Sequence, residues 1–216
     1  MTVRHHPSEA MVLDFAAGSL SPAPALAVSA HLTFCPRCRR DHRRLEAVGG
    51  KLLAESDAAS LPPSADFDAL LARIEREPPA TPSVRATGDF ALPYPVRSAL
   101  GCDLDAVPWK RLGRGAFHYV IPANDPSATV RLLRIPAGRP VPVHTHRGYE
   151  LTLTLCGAYS DATGHFGPGD LQEADDSLVH QPHAAPGEDC ICLAVTEAPL
   201  RFKSWGARLV QPLLGI

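Results

Sequence analysis

The prolines constrain this chain most. Five of them, Pro78, Pro79, Pro82, Pro93 and Pro95, fall between Pro78 and about Leu100. Proline lacks a backbone N–H donor and disfavours helix in the residue before it, so neither a long helix nor a central strand can cross this stretch. We read it as an extended inter-domain tether. The texture differs on its two sides. Before it, apolar residues recur at helical spacing. Ser8 can cap a helix through Met11, Val12, Leu13 and Phe15 that Gly18 stops. Ser21 followed by Pro22 opens a second through Leu26, Val28 and Leu32. A third runs from Pro36 to about Leu53. A second linker covers 55–65, with Pro62 and Pro63, and Asp66 then caps a short helix bearing Phe67, Leu70, Leu71 and Ile74 on one face. After the tether come short β-branched or apolar segments broken by Gly and Pro: Thr129–Ile135, Glu150–Cys156, Gly169–Glu173 and Cys190–Thr196. Many short strands at close intervals imply a sandwich or barrel. The expected fold is therefore two-domain, with a small all-α domain over 1–77, a linker over 78–99 and an all-β domain over 100–216.

Charge and cysteine usage narrow the function. The net charge is −2 over 216 residues, which argues against direct nucleic-acid binding and against an anionic membrane surface as partner. No apolar run approaches the roughly 18–20 residues of a membrane span. Glu9 and Asp14 fall where a signal peptide needs its apolar stretch. These features point to the cytoplasm, where the six cysteines are read as metal or redox groups before disulfides. Arg37, Arg39, Arg40, Arg43 and Arg44 form a basic cluster, read first as a solvated helix face and second as a contact for an acidic partner.

The first chemical constellation is His31-x₃-Cys35-x₂-Cys38. These positions share one helical stripe, and a bend at Pro36 would let an imidazole and two thiolates converge on one ion. Zinc prefers such N/S donors in a tetrahedron. The fourth ligand is left open by spacing among His5, His6 and His42. A metal staple also suits a domain of about 75 residues, which has little core of its own.

The second constellation lies between Gly138 and Gly157. His144, His146 and Glu150 share parity on an extended segment, so one sheet face can present two imidazoles and a carboxylate. His180 follows the turn Phe166-Gly-Pro-Gly-Asp170. Three histidines and a carboxylate suit a divalent transition metal, with zinc the first choice, although the donor set does not select it from Fe, Mn, Ni or Cu. Cys190 and Cys192, two apart on a strand, face the same way. They are read as a buried core pair or as redox thiols near the metal. His118, His165 and His183 are read as ordinary surface or core histidines, and Trp109 and Trp205 as core or rim aromatics. The apolar tail Leu209–Ile216 covers the barrel or meets a partner.

The run Gly138-x₅-His144-x-His146-x₃-Glu150-x₆-Gly157 resembles the first motif of the cupins at every position. Pro168, Gly169, Asp170 and His180 resemble the second more loosely, without the asparagine that often follows. That resemblance implies a jelly-roll barrel with the metal inside. Both constellations together, with the opening Thr2-Val-Arg-His-His6 and the late runs Asp189-Cys-Ile-Cys192 and Pro199-Leu-Arg-Phe202, resemble the ChrR family of zinc-dependent anti-sigma factors. The resemblance covers nearly the whole chain, and 55–100 is not diagnostic. It implies zinc held by His6, His31, Cys35 and Cys38, and a helical domain that blocks a group IV extracytoplasmic-function sigma factor. It also implies a cupin domain needed for release on singlet oxygen or organic hydroperoxides but not for the blockade. Leu70, Leu71 and Ile74 are expected either to touch that partner or to pack on their own domain. The competing readings are a metal-dependent cupin dioxygenase with an accessory zinc domain and, more weakly, a metal-storage or small-ligand module.

Overall fold

The computed structural model describes residues 2–56, 67–76, 92–112 and 115–199, and the backbone of 201–202. The expected linkers over 55–65 and 78–99 lie largely outside these residues, as do Trp205 and the apolar tail. Helices come first. α1 (Glu9–Ala16) starts at Ser8, whose hydroxyl accepts the Met11 N–H, and runs out at Gly18, which has φ +69. α2 (Pro22–Phe34) opens on proline. Cys35 ends it and is also the N-cap of α3 (Pro36–Glu55), with Pro36 in the first turn. The bend expected at Pro36 is therefore a junction of two helices. α4 (Phe67–Arg76) follows.

Where the tether was expected to continue extended to about residue 100, the chain instead forms α5 (Tyr94–Leu100). Pro93 is its N-cap, Pro95 falls within its first turn, and Gly101 at φ +77 closes it. Two prolines this close to a helix start remove only N–H groups that would have no intrahelical partner anyway. Leu92 and Val96 are buried, so this end of the stretch is packed core.

The β-region contains β1 (Lys110–Leu112), β2 (Ala116–Ile121), β3 (Thr129–Ile135), β4 (His144–Thr145), β5 (Glu150–Cys156), β6 (Tyr159–Asp161), β7 (Gly164–Phe166), β8 (Leu171–Ala174), β9 (Val179–His180), β10 (His183–Ala184), β11 (Cys190–Thr196) and β12 (Arg201–Phe202). They form a six-stranded sheet in the order β1-β2-β3-β11-β5-β8 and two three-stranded sheets, β10-β6-β7 and β12-β4-β9, with every pairing antiparallel.

Alternation across β5 and β11 gives each strand two jobs. Leu151, Leu153 and Leu155 point one way, with Leu193 and Val195 of β11 on the same face. They pack with Ala23, Ala27 and Ala30 of α2 and with Val96 of α5 in one continuous core. The alanines recur at i, i+4 and i+7, a stripe of small side chains that lets the helix lie close on the sheet. The opposite parity, Glu150, Thr152 and Thr154, faces Thr196, Ala194 and Cys192 across the β5–β11 pair. The helical and β regions thus share a core. Among the described residues, no helix is long and apolar enough to cross a membrane.

Candidate metal centres

Four donor side chains meet at the α2–α3 junction. His31 lies near the end of α2, Cys35 is at the junction and Cys38 is in the first turn of α3. His6 comes from the segment before α1. One ligand atom from each lies within 4.8 Å of all the others. His6 Nδ1 is 3.4 Å from both the Cys35 and the Cys38 sulfur. A zinc tetrahedron with bonds of about 2.0–2.3 Å has edges of about 3.3–3.8 Å, so this spacing fits. His31 Nδ1 lies 2.8 Å from the Gly169 carbonyl, which only accepts, so Nδ1 carries the proton and Nε2 is bare. That Nε2 is buried with no hydrogen-bond partner. A lone pair with no polar partner, beside two thiols, is the feature a cation would satisfy. Burial holds His31 down at about 4, against a smaller upward pull from the Gly169 bond. Burial, then the contact with Cys35, pushes the Cys38 thiol up to about 12. Binding an ion therefore includes displacing thiol protons.

Geometry separates the three histidines that spacing left open. His42 pairs with Glu46 at 3.4 Å and stacks near Phe15. The His5 ring lies on Phe166, 4.2 Å between centroids. His6 alone of the three faces the sulfurs. In the basic cluster, Arg39 donates to the carbonyls of Leu32 and Thr33 and so caps α2, while Arg44 pairs with Asp41 on the exposed face.

The second group forms between β4, β9 and the turn before β5. His144, His146 and His180 are buried. Nε2 of His180 is 3.0 Å from Nε2 of His144 and 3.1 Å from Nε2 of His146. His144 Nδ1 donates to the Pro142 carbonyl at 2.8 Å, and His180 Nδ1 donates to Asp161 Oδ2 at 2.6 Å. With their protons on Nδ1, the bare Nε2 atoms of His144 and His180 face each other at contact distance. Lone pairs so placed repel unless a cation lies among them, so the triad fits a metal. Glu150 stands beside this triad and outside the converging atoms. Its Oε2 is 3.4 Å from His146 Nδ1, and its Oε1 accepts from Thr152 at 3.1 Å. Burial alone would raise the Glu150 carboxyl, but His146 and its neighbours outweigh that and lower it.

Asp161 was not read from the sequence as part of this site. Burial opposes its charge, but bonds from Gln172, Thr163 and His180 hold it at about 2. Cys190 and Cys192 are buried with their sulfurs 3.6 Å apart, packed with Tyr159 and Phe166. The bond with Cys190, then burial, pushes the Cys192 thiol well up. His118 is a buried histidine of β2, His165 meets Ser160 and His183 is exposed. None of them joins either group.

Two family models match the chain: the ChrR cupin-like domain over residues 97–199 and a family described as a putative zinc-finger over residues 8–39. The anti-sigma-E factor ChrR of Cereibacter sphaeroides is 43% identical over 216 residues, all of both chains. The chain belongs to the ChrR family of anti-sigma factors. A crystal structure of Rhodobacter sphaeroides SigE in complex with the anti-sigma ChrR matches with a TM-score of 0.74 at 40% identity, covering 90% of this chain and 99% of that one. An RmlC-like cupin protein from Ralstonia eutropha is similar at a TM-score of 0.42 and 23% identity, over 48% of this chain and 71% of that one. Membership of the ChrR family makes the chain a regulator, and the dioxygenase reading is set aside.

Proposed function

We propose that the chain binds an extracytoplasmic-function sigma factor through its helical region and keeps it from RNA polymerase. The barrel would govern release in response to singlet oxygen or organic hydroperoxides. The observation that carries this reading is the His6–His31–Cys35–Cys38 convergence, which joins the chain start, α2 and α3 into one unit within a chain 43% identical to an anti-sigma factor along its length. Zinc held by these four residues supplies a structural staple between elements that share little core. The chain's own residues do the rest: α3 and α4 leave Val48, Leu52, Phe67 and Ile74 exposed, apolar surface that a protein partner would cover. In the barrel, His144, His146 and His180 would hold a divalent metal, with Glu150 beside them. Such an ion would supply a centre at which an oxidant can react. Cys190 and Cys192 are the thiols an oxidant would join.

The test is co-expression with a sigma factor of this class. The unaltered chain is expected to co-purify with it carrying zinc. Cys35→Ser with Cys38→Ser is expected to lose both the helical-site zinc and the partner. Replacing the three barrel histidines, or the Cys190–Cys192 pair, is expected to leave capture intact and blunt release after a singlet-oxygen pulse. Capture by the metal-free cysteine double variant at unaltered affinity would sink the reading.

A further inference from the structure

The zinc-type group of the helical region is held in place from the barrel. The segment carrying His6 runs along the turn between β7 and β8. Asp170 Oδ1 accepts the backbone N–H groups of Arg4 at 2.6 Å and His5 at 2.8 Å. Leu171 N donates to the His5 carbonyl at 3.2 Å. The next residue is His6. From the same turn, the Gly169 carbonyl takes the Nδ1 proton of His31 at 2.8 Å and so aims Nε2 at the sulfurs. One turn of the barrel therefore fixes two of the four donors, His6 through its backbone and His31 through its tautomer and ring orientation.

The turn is built for this contact. Gly169 has φ +88, and a Cβ there would sit 2.7 Å from Phe34 Cβ and 2.8 Å from Val3 Cγ2, so only glycine lets the two regions close on each other. Asp170 is buried, and its second oxygen accepts the Gly167 N–H at 2.9 Å, closing the turn. The turn is tied to β5 by Thr154 N to the Asp170 carbonyl at 3.0 Å and by Gly169 N to the Thr154 carbonyl at 2.8 Å. Two residues further on, Gln172 donates to Asp161, the carboxylate that holds His180. The turn thus lies between the two donor groups and is bonded toward both.

We propose that Asp170, with the Gly169 carbonyl, is a positioning residue of the His6–His31–Cys35–Cys38 metal site, so that the barrel sets that site's affinity for metal. This rests on the metal reading of those four residues. Groups that orient metal ligands typically contribute 10–100-fold to metal affinity when removed, and that is the loss expected here.

The probe is cobalt(II) titrated into the full-length, metal-stripped chain, followed by thiolate-to-cobalt absorption. Of the two donor groups only the one containing Cys35 and Cys38 has sulfur, so the barrel triad does not contribute this band. Asp170→Ala is expected to weaken cobalt binding 10–100-fold, and Asp170→Asn, which keeps the size and one acceptor, by less. Asp125→Ala is the control. Asp125 Oδ2 accepts the Ala23 N–H at the other end of α2, so this change loosens the same contact between regions without touching the turn, and binding is expected to stay within about twofold. If Asp170→Ala does not fold, Asp170→Asn decides the matter by the same band. Unchanged affinity in the Asp170 variants, or an equal loss in Asp125→Ala, overturns the proposal. Absence of the thiolate band in the unaltered chain overturns instead the metal reading on which it rests.

Discussion

A carboxylate can do two jobs at one position, and Asp161 does. One oxygen accepts the backbone and hydroxyl of Thr163, both at 2.7 Å, which closes the Asp161–Gly164 turn. The other accepts from Gln172 at 2.9 Å and from His180 at 2.6 Å. Replacing it with Asn turns an acceptor aimed at His180 into a competing donor or a weaker neutral acceptor. Asp161→Asn is expected to lower the barrel site's metal affinity about 10–100-fold while leaving the cobalt–thiolate band of the helical site unchanged. Titration with a competing chelator measures the first effect, and an unaltered barrel affinity would falsify the role given to Asp161. The residue was illegible in the sequence for a physical reason: Asp-x-x-Gly is ordinary hairpin-turn chemistry, and nothing in it signals the second oxygen. His144 and His146 were legible because strand parity and a fixed spacing put them on one face, and His180 because it falls where the cupin resemblance expects a further ligand. His6 was legible only through family resemblance, since spacing disfavoured the distant His42 but did not separate His6 from His5. Glu150 was read as a fourth donor, yet it stands beside the three histidines and outside their converging atoms, because parity says which face a side chain takes and not which way its carboxylate turns.

At the scale of elements, α4 is the most exposed. Phe67 is 68%, Leu70 46%, Leu71 40% and Ile74 58% exposed, although all lie on one amphipathic face. The sequence allowed this face to pack on its own domain or to meet a partner, and among the described residues none of its apolar side chains is buried. An apolar helical face in water favours association, and the anchors of such interfaces carry most of the energy. Leu71→Glu is expected to weaken sigma-factor capture at least tenfold, read by titration calorimetry or a pull-down series, while the chain's own melting point stays within a degree or two. A large fall in melting point with capture intact would show that the face serves the chain's own fold. α2 taught a different lesson. Its start at Ser21-Pro22 was readable and so was Val28, which is fully buried, but the sequence did not single out Ala23, Ala27 and Ala30, which are fully buried too. Small residues carry little hydrophobic signal in sequence, yet they are what a helix needs to lie close against a sheet. α5 was missed because its prolines read as tether, although prolines at a helix start are tolerated.

For the whole molecule the consequence is cooperativity. Two domains joined by a Pro-rich tether would be expected to melt separately, each as stable as its own core allows. This chain instead has one core running from Ala23, Ala27 and Ala30 through Leu151, Leu153, Leu155, Leu193 and Val195 to Val96. Polar contacts brace α2 at both ends, Asp125 at Ala23 and Gly169 at His31. Helices and barrel should therefore unfold in a single calorimetric transition. A perturbation buried between them should shift that whole transition. Ala27 has no exposed surface, so Ala27→Leu forces three extra heavy atoms into a filled layer, at a cost of roughly 1–3 kcal/mol. For a chain of this size that corresponds to a fall of roughly 2–12 °C in melting temperature. If scanning calorimetry resolves two transitions, with Ala27→Leu moving one and leaving the other in place, then the helices and the barrel are separate folding units and a signal received in the barrel needs some route other than this shared core to reach the partner-binding face.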